Sequence, residues 1–346
     1  MKPNTTSLTH FVLNLLFFVF VFNVGNAQSG QEENLLSIKD LERKTDSMGI
    51  EVFLHMGIPY TGAAYYINRN GLMTGKMSFL DGRQHGLAEE YYQNGDIKGR
   101  LSYNMGLMDG VFEEYFENSN LKEKVNYKNG KLEGFAIAYY ENGNKKEEAN
   151  FKSGNKNGEQ KSYYENGQLL ELENWQDGRR EGVFKYYYNN GQLKESYTVS
   201  NIRRIGEYVA HYDYGGIKII GNYNERGSMY GEWRYYYDNG QLKEIGNFGE
   251  KGMPNGEWKT YHINGKLSCI GNYMNVNDET YEIFVYNSPD FSSLIDDFTF
   301  CKEGEWKMYH ENGQIKDIGN YIQGSKTGVW KKYGEDGKLI KTENFD

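Results

Sequence analysis

The chain has 346 residues, and four residue types are unusual in number: 42 glycines, 31 tyrosines, only 4 prolines and 2 cysteines. Disordered segments are poor in aromatic residues, so this composition excludes a largely disordered chain and favours an extended array of small units. The formal net charge is -9 with acidic and basic residues interspersed, and because phosphate neutralisation needs clustered Lys and Arg, we expect no nucleic-acid partner.

The first 27 residues have the pattern of a secretory signal peptide. Lys2 supplies a positive charge, residues 11–24 form an apolar core, and residues 25–27 (GNA) place small side chains at a cleavage site. The core is short for a membrane span, which takes about 20 residues, and an uncleaved anchor is the alternative. We therefore expect export to the periplasm, the cell envelope or the outside of the cell, with no transmembrane segment after signal removal.

Residues 28–57 are predicted to cap the array that follows them. Gln31–Lys44 has a weak helical pattern, and Ile50–Met56 has the pattern of a strand. The predicted organisation is thus a signal peptide (1–27), a capping segment (28–57) and a repeat array (58–346).

Glycines recur every 24 or 25 residues within the array, and each of these lead glycines opens one repeat. They are Gly62, Gly86, Gly110, Gly134, Gly158, Gly182, Gly206, Gly231, Gly256, Gly304 and Gly328. The gap from Gly256 to Gly304 equals two units, which predicts a degenerate repeat at 276–303 and about twelve repeats in total. We expect this acidic segment to be a loop; a partner-specific bulge or weak cation site is the alternative.

Many repeats contain two turn signals, about 12 residues apart. An Asn-Gly pair such as Asn239-Gly240 follows the lead glycine by eight residues, and a second pair such as Asp177-Gly178 closes many repeats. Asn-Gly between aromatic or apolar runs predicts a two-residue type I′ hairpin turn, because both central residues need a positive φ. The predicted fold is therefore all-β: an elongated, twisted, single-layer antiparallel meander of about twelve tandem β-hairpins.

Pairing across the Asn-Gly turn assigns side chains to faces. In the repeat that Gly231 opens, it places Tyr237 opposite Leu242 and Trp233 opposite Gly246, and it leaves Tyr237, Leu242 and Trp233 on one side. A second aromatic row points the other way and is the candidate binding surface: Tyr91, Tyr115, Tyr139, Tyr163, Tyr187, Tyr236, Tyr261, Tyr309 and Tyr333. Such a row suits a protein interface or stacking against sugar rings, and packing between repeats is the structural alternative.

No group of residues shows a recognisable catalytic pattern. His262 and His310 share one repeat position, but roughly four strands separate them by about 20 Å, so we expect each to replace a tyrosine of the row rather than to share an ion. The paired acids Glu113-Glu114 and Glu147-Glu148 are predicted to lie on solvated strand faces beside lysines. We predict a protein that is not an enzyme and has no metal site and no cofactor; a hydrolase that uses these acids is the rival hypothesis.

The recurring motif resembles the MORN repeat (membrane occupation and recognition nexus). Its residues are Gly-Glu-Trp-Lys-x-Tyr-x-x-Asn-Gly-x-Leu/Ile, as at 256–267 and 304–315. The array is similar in particular to the bacterial variant of the YwqK-family antitoxins of toxin–antitoxin systems, including the opening Pro-Tyr-Thr-Gly at 59–62. The resemblance covers about residues 58–346 and implies a hairpin array that binds a partner protein.

One main hypothesis and one alternative follow. The chain is predicted to be an exported, non-catalytic repeat scaffold that binds another protein through its sheet and acts by occlusion. The alternative is an envelope structural protein that binds glycan or lipid through its aromatic rows. A stoichiometric protein partner would favour the first, and sedimentation with purified envelope or polysaccharide alone would favour the second.

Overall fold

The computed structural model describes residues 36–274 and 302–345. The predicted signal peptide lies outside these residues, as do Cys301 and nearly all of the predicted degenerate repeat. The chain divides into two compact units, an N-terminal unit that ends at Arg179 and a C-terminal unit that begins at Arg180. The described residues are mostly antiparallel strands joined in sequence order, which confirms the all-β hairpin meander.

The strands are numbered in chain order. The first group is β1 Glu42–Thr45, β2 Glu51–His55, β3 Ile58–Pro59, β4 Gly62–Ile67, β5 Met73–Leu80, β6 Arg83–Tyr91, β7 Ile97–Asn104, β8 Leu107–Tyr115, β9 Leu121–Lys128, β10 Lys131–Leu132, β11 Gly134–Tyr139, β12 Lys145–Lys152, β13 Asn155–Lys156, β14 Gly158–Tyr163, β15 Leu169–Gln176 and β16 Arg179–Arg180. The second group is β17 Gly182–Tyr187, β18 Leu193–Ser200, β19 Arg203–His211, β20 Ile217–Tyr223, β21 Met229–Tyr236, β22 Leu242–Phe248, β23 Pro254–Tyr261, β24 Leu267–Tyr273, β25 Lys302–Tyr309, β26 Ile315–Ile322, β27 Ser325–Tyr333 and β28 Leu339–Phe345.

Strands β1 to β3 form a small antiparallel sheet ahead of the first hairpin. Leu41 and Phe53 of this segment are buried in one cluster with Ala64 and Phe79 of the first hairpin. Burying these side chains removes apolar surface from water on both partners. The first hairpin therefore shares a core with the segment that precedes it.

The strand predicted at Ile50–Met56 is present as β2, whereas the helical pattern near the N-terminus is misleading. Within the described residues there is only one 3₁₀ turn, Ile38–Asp40, and β1 follows it. Ser37 and Asp40 close that turn as a capping box. A helix this short is marginal in water unless one of its faces packs against the protein. Here the backbone at Leu41 is extended, and the Leu41 side chain is buried in that conformation.

The two turns of each repeat have different conformations. At the closing turn both residues have positive φ, 48° for Asp177 and 80° for Gly178, as a type I′ turn requires. At the Asn-Gly turn the type I′ prediction is wrong, because Gly240 has a φ of 81° while Asn239 is not in the positive region. The Gly240 N–H donates to the Tyr237 carbonyl at 3.0 Å. This is a three-residue loop, a type I turn followed by a left-handed glycine.

The longer loop changes the pairing beside it. Trp233 lies opposite Gly246, as predicted. Tyr236, and not Tyr237, lies opposite Leu242, because a β-bulge shifts the register between Tyr235 and Tyr236. Paired residues share a face, and residues three apart on one strand point to opposite faces. Leu242 therefore belongs with Tyr236, and its predicted place beside Trp233 and Tyr237 is wrong.

A tyrosine at the position of Tyr237 links its hairpin to the next one. The Tyr237 hydroxyl donates to the Tyr261 carbonyl at 2.8 Å. The same contact recurs from Tyr92, Tyr140, Tyr188 and Tyr212. His262 and His310 occupy this position too, each with Nε2 2.9 Å from the corresponding carbonyl oxygen, of Tyr309 and Tyr333 respectively. The two histidines thus occupy the tyrosine position, as predicted, and make the same contact.

In each unit one face of the sheet carries the core; we call it the buried face and its opposite the open face. In the C-terminal unit four tryptophans line the buried face, each no more than 4% exposed: Trp233, Trp258, Trp306 and Trp330. Each ring lies over a glycine of the preceding hairpin, so that a Cβ on Gly246 would overlap the Trp258 ring. The sequence predicts room for a ring at Gly246, but the ring comes from the next hairpin and not from Trp233.

The buried face of the N-terminal unit has smaller and more polar side chains. Its apolar members include Ala64, Val125, Ala136 and Ala149. It also holds a buried polar chain in which Lys156 Nζ donates to Gln160 Oε1 at 2.5 Å and Gln160 Nε2 donates to Glu147 Oε1 at 2.6 Å. Hydrogen bonds of this kind offset the cost of removing polar groups from water.

The strands on either side of 275–301 pair directly with each other. Ile270 of β24 lies opposite Lys307 of β25, and the same register joins Ile245 of β22 to Lys259 of β23. The predicted degenerate repeat at 276–303 lies almost entirely outside the described residues, which contain eleven hairpins of the array.

Candidate binding surface

Each of the nine predicted tyrosines is the last residue of the first arm of its hairpin. All nine are half-buried. Each lies opposite the residue that opens the second arm, which is Leu or Ile in eight hairpins and Lys145 in the remaining one. The alternation along β21, where Trp233 and Tyr235 are buried while Glu232 and Arg234 are exposed, places Tyr236 on the open face. The structure thus gives the open face of each unit a row of tyrosines beside a row of aliphatic side chains.

In the N-terminal unit, hydroxyls of this tyrosine row donate to carboxylates on the same face. Tyr91 donates to Glu89 at 2.9 Å, and Tyr115 donates to Glu113 at 3.0 Å. Burial, followed by the neighbouring Glu89, raises the pKa of Tyr91 to about 12. These phenols stay protonated at neutral pH. Each therefore presents an apolar ring edge, while its hydroxyl is already hydrogen-bonded to a carboxylate.

A row of ion pairs runs beside these tyrosines in the N-terminal unit. Glu113 accepts from Arg100 Nε at 2.6 Å, and Lys124 Nζ lies 2.9 Å from its other oxygen. Burial alone would raise the pKa of Glu113, but the bonds from Lys124, Arg100 and Tyr115 outweigh it and lower the pKa to about 2. Acid and base alternate across the strands here, so the row is neutralised internally.

In the C-terminal unit isoleucines occupy the second-arm positions that Arg100 and Lys124 hold in the N-terminal unit, and bases occupy the first-arm positions of the acids. Ile245 lies between Arg234 and Lys259, and Ile270 lies between Lys259 and Lys307 on the neighbouring strands. The bases are paired along their own strands, Lys307 with Glu305 at 2.6 Å for example. On the open face of this unit each hairpin thus presents a tyrosine, an aliphatic side chain and a charged pair. This set repeats about every 10 Å, which is the width of two strands.

A third row on the open face of the N-terminal unit was missed by the sequence argument. Leu87, Val111 and Phe135 each follow a lead glycine and are 44%, 39% and 46% exposed. Consecutive exposed apolar residues of this size are typical of interaction surfaces. The spacing of 24 residues is the signal that could have found them, since the position after the lead glycine is apolar in three consecutive repeats.

The paired acids point to opposite faces and do not form a reaction centre. Glu113 lies on the open face with Arg100, while Glu114 pairs across the strands with Glu123 on the buried face. Glu147 is buried with Gln160, and Glu148 bonds to Lys145 and Tyr163 on the open face. The lysine neighbours were predicted, but solvated faces were not the outcome for Glu113 and Glu147, which are 9% and 5% exposed. The reason is that ion pairs and hydrogen bonds compensate for their burial.

Among residues 36–274 and 302–345 no group of three His, Cys, Asp or Glu side chains is arranged to hold a metal. The thiol of Cys269 is free, and burial raises its pKa to about 11. Within the same residues, no helix is both long and apolar enough to traverse a bilayer.

Tandem hairpins with one face in the core and the other bearing tyrosines define a β-hairpin repeat scaffold. The model of the MORN repeat variant family matches nine segments that together exceed half of the chain: 84–105, 108–129, 132–153, 156–177, 180–201, 229–249, 254–275, 302–323 and 326–346. The chain therefore belongs to the MORN repeat variant family, and the predicted MORN resemblance is confirmed. No curated protein matches the sequence.

Solved structures give only distant likenesses. A chain in the crystal structure of TcdB2-TccC3-Cdc42 is 12% identical with a TM-score of 0.17, covering 87% of this chain and 19% of that one. A chain in the structure of the Photorhabdus luminescens Tc holotoxin pore is 11% identical with a TM-score of 0.18, covering 78% and 14%. A chain of TcdB2-TccC3 without its hypervariable C-terminal region is 12% identical with a TM-score of 0.18, covering 87% and 22%. The present chain thus spans less than a quarter of each, and TM-scores this low carry no inference.

Proposed function

We propose that this chain is an exported, non-catalytic scaffold that binds another protein through the open face of its hairpins. Binding would act by occlusion of the partner, in the manner implied by the resemblance to YwqK-family antitoxins. The membership of the MORN repeat variant family supports the scaffold role. The proposal that the chain binds and occludes a partner protein depends on the open face.

The observation that carries the proposal is that the two faces of the sheet differ: one is buried in the core, and the other keeps tyrosines half-exposed. The four tryptophans of the C-terminal unit lie in the core together with aromatic residues such as Tyr235 and Phe248, and Trp233 is fully buried. The tyrosine row remains half-exposed beside Leu242, Leu267 and their equivalents. Tyrosine supplies large contact area at a low cost in side-chain entropy, which makes it suitable for a rigid interface.

The absence of an enzymatic role in this proposal follows from how the acids are engaged. Glu113 is held ionised by Arg100 and Lys124, whereas a general acid or base needs a pKa near the working pH. Glu147 and Glu148 point to opposite faces and cannot act on one bond.

The test is affinity capture with a variant of the open face. The tagged mature chain is incubated with envelope extract from cells that produce it, and the bound proteins are quantified. The triple variant Tyr236→Ser, Tyr261→Ser, Tyr309→Ser should lose at least about tenfold in partner recovery, because each ring contributes contact area in the interface. The matched control is Glu250→Gln, Glu311→Gln, Glu335→Gln, which changes three exposed turn residues of the same unit.

Equal recovery by the triple variant and the control would contradict the proposed face. Sedimentation of the purified chain with protein-free envelope or polysaccharide would instead support the alternative role in glycan or lipid binding. Export is tested separately: fractionation should find the chain outside the cytoplasm with its N-terminus at Gln28.

A further inference from the structure

One closing turn departs from the others in a way that costs stability. Seven closing turns have two consecutive residues at positive φ, and in six of them the second residue is glycine: Gly82, Gly106, Gly130, Gly154, Gly178 and Gly324. In the seventh turn, which joins β18 to β19, Ile202 has a φ of 64° after Asn201 at 48°. A β-branched residue in this region is a conformational outlier, because its side chain crowds the backbone.

Ile202 also gives up a hydrogen bond that the six glycines make. The N–H of each glycine donates to the carbonyl of the residue 22 positions earlier in the chain, Gly324 to Lys302 at 2.9 Å and Gly178 to Lys156 at 2.8 Å. Within the described part of the chain the Ile202 N–H makes no such bond. The preceding turn residue is nevertheless anchored, since the Asn201 N–H donates to Glu181 Oε2 at 3.1 Å. The strained conformation is therefore held in place by its surroundings.

The Ile202 side chain is not compensated for this strain by packing against the described part of the chain. Ile202 is 81% exposed, so its apolar surface stays in water, where burial would be favourable. Strain that the fold maintains without local benefit is typical of functional positions. Two exposed cationic side chains are near it: Arg203 follows directly, and Arg226 lies beside Glu225 in the adjoining turn, where Gly227 approaches Arg203.

We propose that Ile202 is a contact residue that inserts into an apolar pocket of a partner protein whose rim carries carboxylates. The pocket would bury the isoleucine, and Arg203 and Arg226 would pair with the rim. The surface lies at the closing-turn edge of the C-terminal unit and is separate from the tyrosine row. The inference rests on the proposed function only in taking the partner to be a protein.

The experiment places a benzophenone amino acid at position 202 of the full mature chain and irradiates it in envelope extract. The adduct is then competed with unlabelled wild-type chain and with unlabelled Ile202→Gly. We expect one protein adduct, competed by wild type and about tenfold less well by Ile202→Gly, because the variant lacks the buried side chain. Ile202→Gly relieves the strain, so its urea midpoint should rise, and a failure to compete cannot come from misfolding.

Equal competition by Ile202→Gly would overturn the proposal, as would adducts that contain only lipid or a second copy of this chain, or no adduct at all. Arg203→Gln with Arg226→Gln should weaken competition at low salt more than at high salt. The tyrosine-row test separates the two ideas: binding that needs Ile202 but not the tyrosines would refute the open face alone. Binding that needs the tyrosines but not Ile202 would refute this inference alone.

Discussion

The two units place very different cores on the same hairpin register. In the C-terminal unit Trp258 lies opposite Gly271 and covers Gly246, so a large ring fills the space above each missing side chain. In the N-terminal unit the equivalent positions hold pairs such as Phe112 and Val125, where two medium side chains fill a similar space. The turns and the strand pairing therefore set the backbone ladder, and the buried face tolerates different ways of reaching native packing density.

The open faces differ in a parallel way. The N-terminal unit alternates acids and bases across its strands, while the C-terminal unit alternates bases and isoleucines. Both keep the tyrosine row. The shared feature is therefore the one we assign to binding, and the differing rows are expected to adjust which partner surface fits.

Removing a tryptophan should have the largest effect. Trp258→Ala should lower the free energy of unfolding by about 4 kcal/mol, since it deletes a ring that is 2% exposed and leaves a cavity. The matched change in the N-terminal unit, Val125→Ala, should cost about 2 kcal/mol. Urea unfolding followed by circular dichroism checks both values. Equal losses would mean that the aromatic and aliphatic cores do not differ as described.

Glu123 should make the N-terminal unit sensitive to pH. It is 2% exposed, its Oε1 has no hydrogen-bond partner, and burial followed by the charge of Glu114 raises its pKa to about 7. Below the unfolded pKa near 4.5 both states are protonated and the group costs nothing through its charge. As the pH rises from 4.5 to 7, the unfolded state ionises while the folded state keeps its proton, so about 3 kcal/mol of stability is lost progressively, and the loss is complete above pH 7.

Glu123→Gln should therefore match the wild type near pH 4 and exceed its stability by about 3 kcal/mol near pH 9 in urea titrations. Glu113→Gln provides a control of opposite sign. Because the pKa of Glu113 is lowered to about 2, that variant should be less stable than wild type above pH 4.5. A Glu123→Gln curve parallel to the wild type would show that the carboxyl is not buried as described.

Adding one methyl group should distinguish the glycines of the two units. Gly246→Ala drives a Cβ into the Trp258 ring, and such overpacking should cost about 2 kcal/mol. In the N-terminal unit, a Cβ on Gly99 would meet its nearest atom, the Glu113 carbonyl oxygen, at 3.4 Å, an ordinary contact. Thermal unfolding of Gly246→Ala and Gly99→Ala should show a clear loss for the first and little change for the second.

The smallest expected effect concerns the contact between hairpins at the Asn-Gly end. Tyr237→Phe removes one hydroxyl bond and should cost about 1 kcal/mol. Phe116 occupies the equivalent position in the N-terminal unit without a hydroxyl, so Phe116→Tyr should gain a similar amount if it reaches the next carbonyl. Calorimetry on the two variants measures the pair. A loss in both would show that the position is governed by packing and not by the hydrogen bond.

Much of the ladder could be predicted from sequence because turns and spacing are local signals. The lead glycines, the closing turns and the pairing of Trp233 with Gly246 all follow from a period of 24 residues. The Asn-Gly loop could not be assigned its length from the dipeptide alone, because Asn-Gly serves both two-residue and three-residue hairpins. That one-residue error moved Leu242 to the wrong face. The direct pairing of β24 with β25 was not predicted either, because the spacing from Gly256 to Gly304 equals two repeats.

The tyrosine row could be predicted as a row, but its surroundings could not. Cross-strand partners such as Arg100 with Glu113 depend on register and on side-chain reach, which a periodic sequence leaves open. In the sequence, the only sign of the strain at Ile202 is that an isoleucine stands where six other closing turns have glycine. Its meaning required the backbone angle and the exposure.

Hydroxyl-radical footprinting of the mature chain, with and without its captured partner, tests the assignment of the open face most directly. We predict that Tyr236, Tyr261 and Tyr309 are oxidised in the free chain and protected in the complex, while the core residues Trp258 and Tyr273 react little in either state. Unchanged reactivity of the three tyrosines in a saturated complex would contradict the central claim.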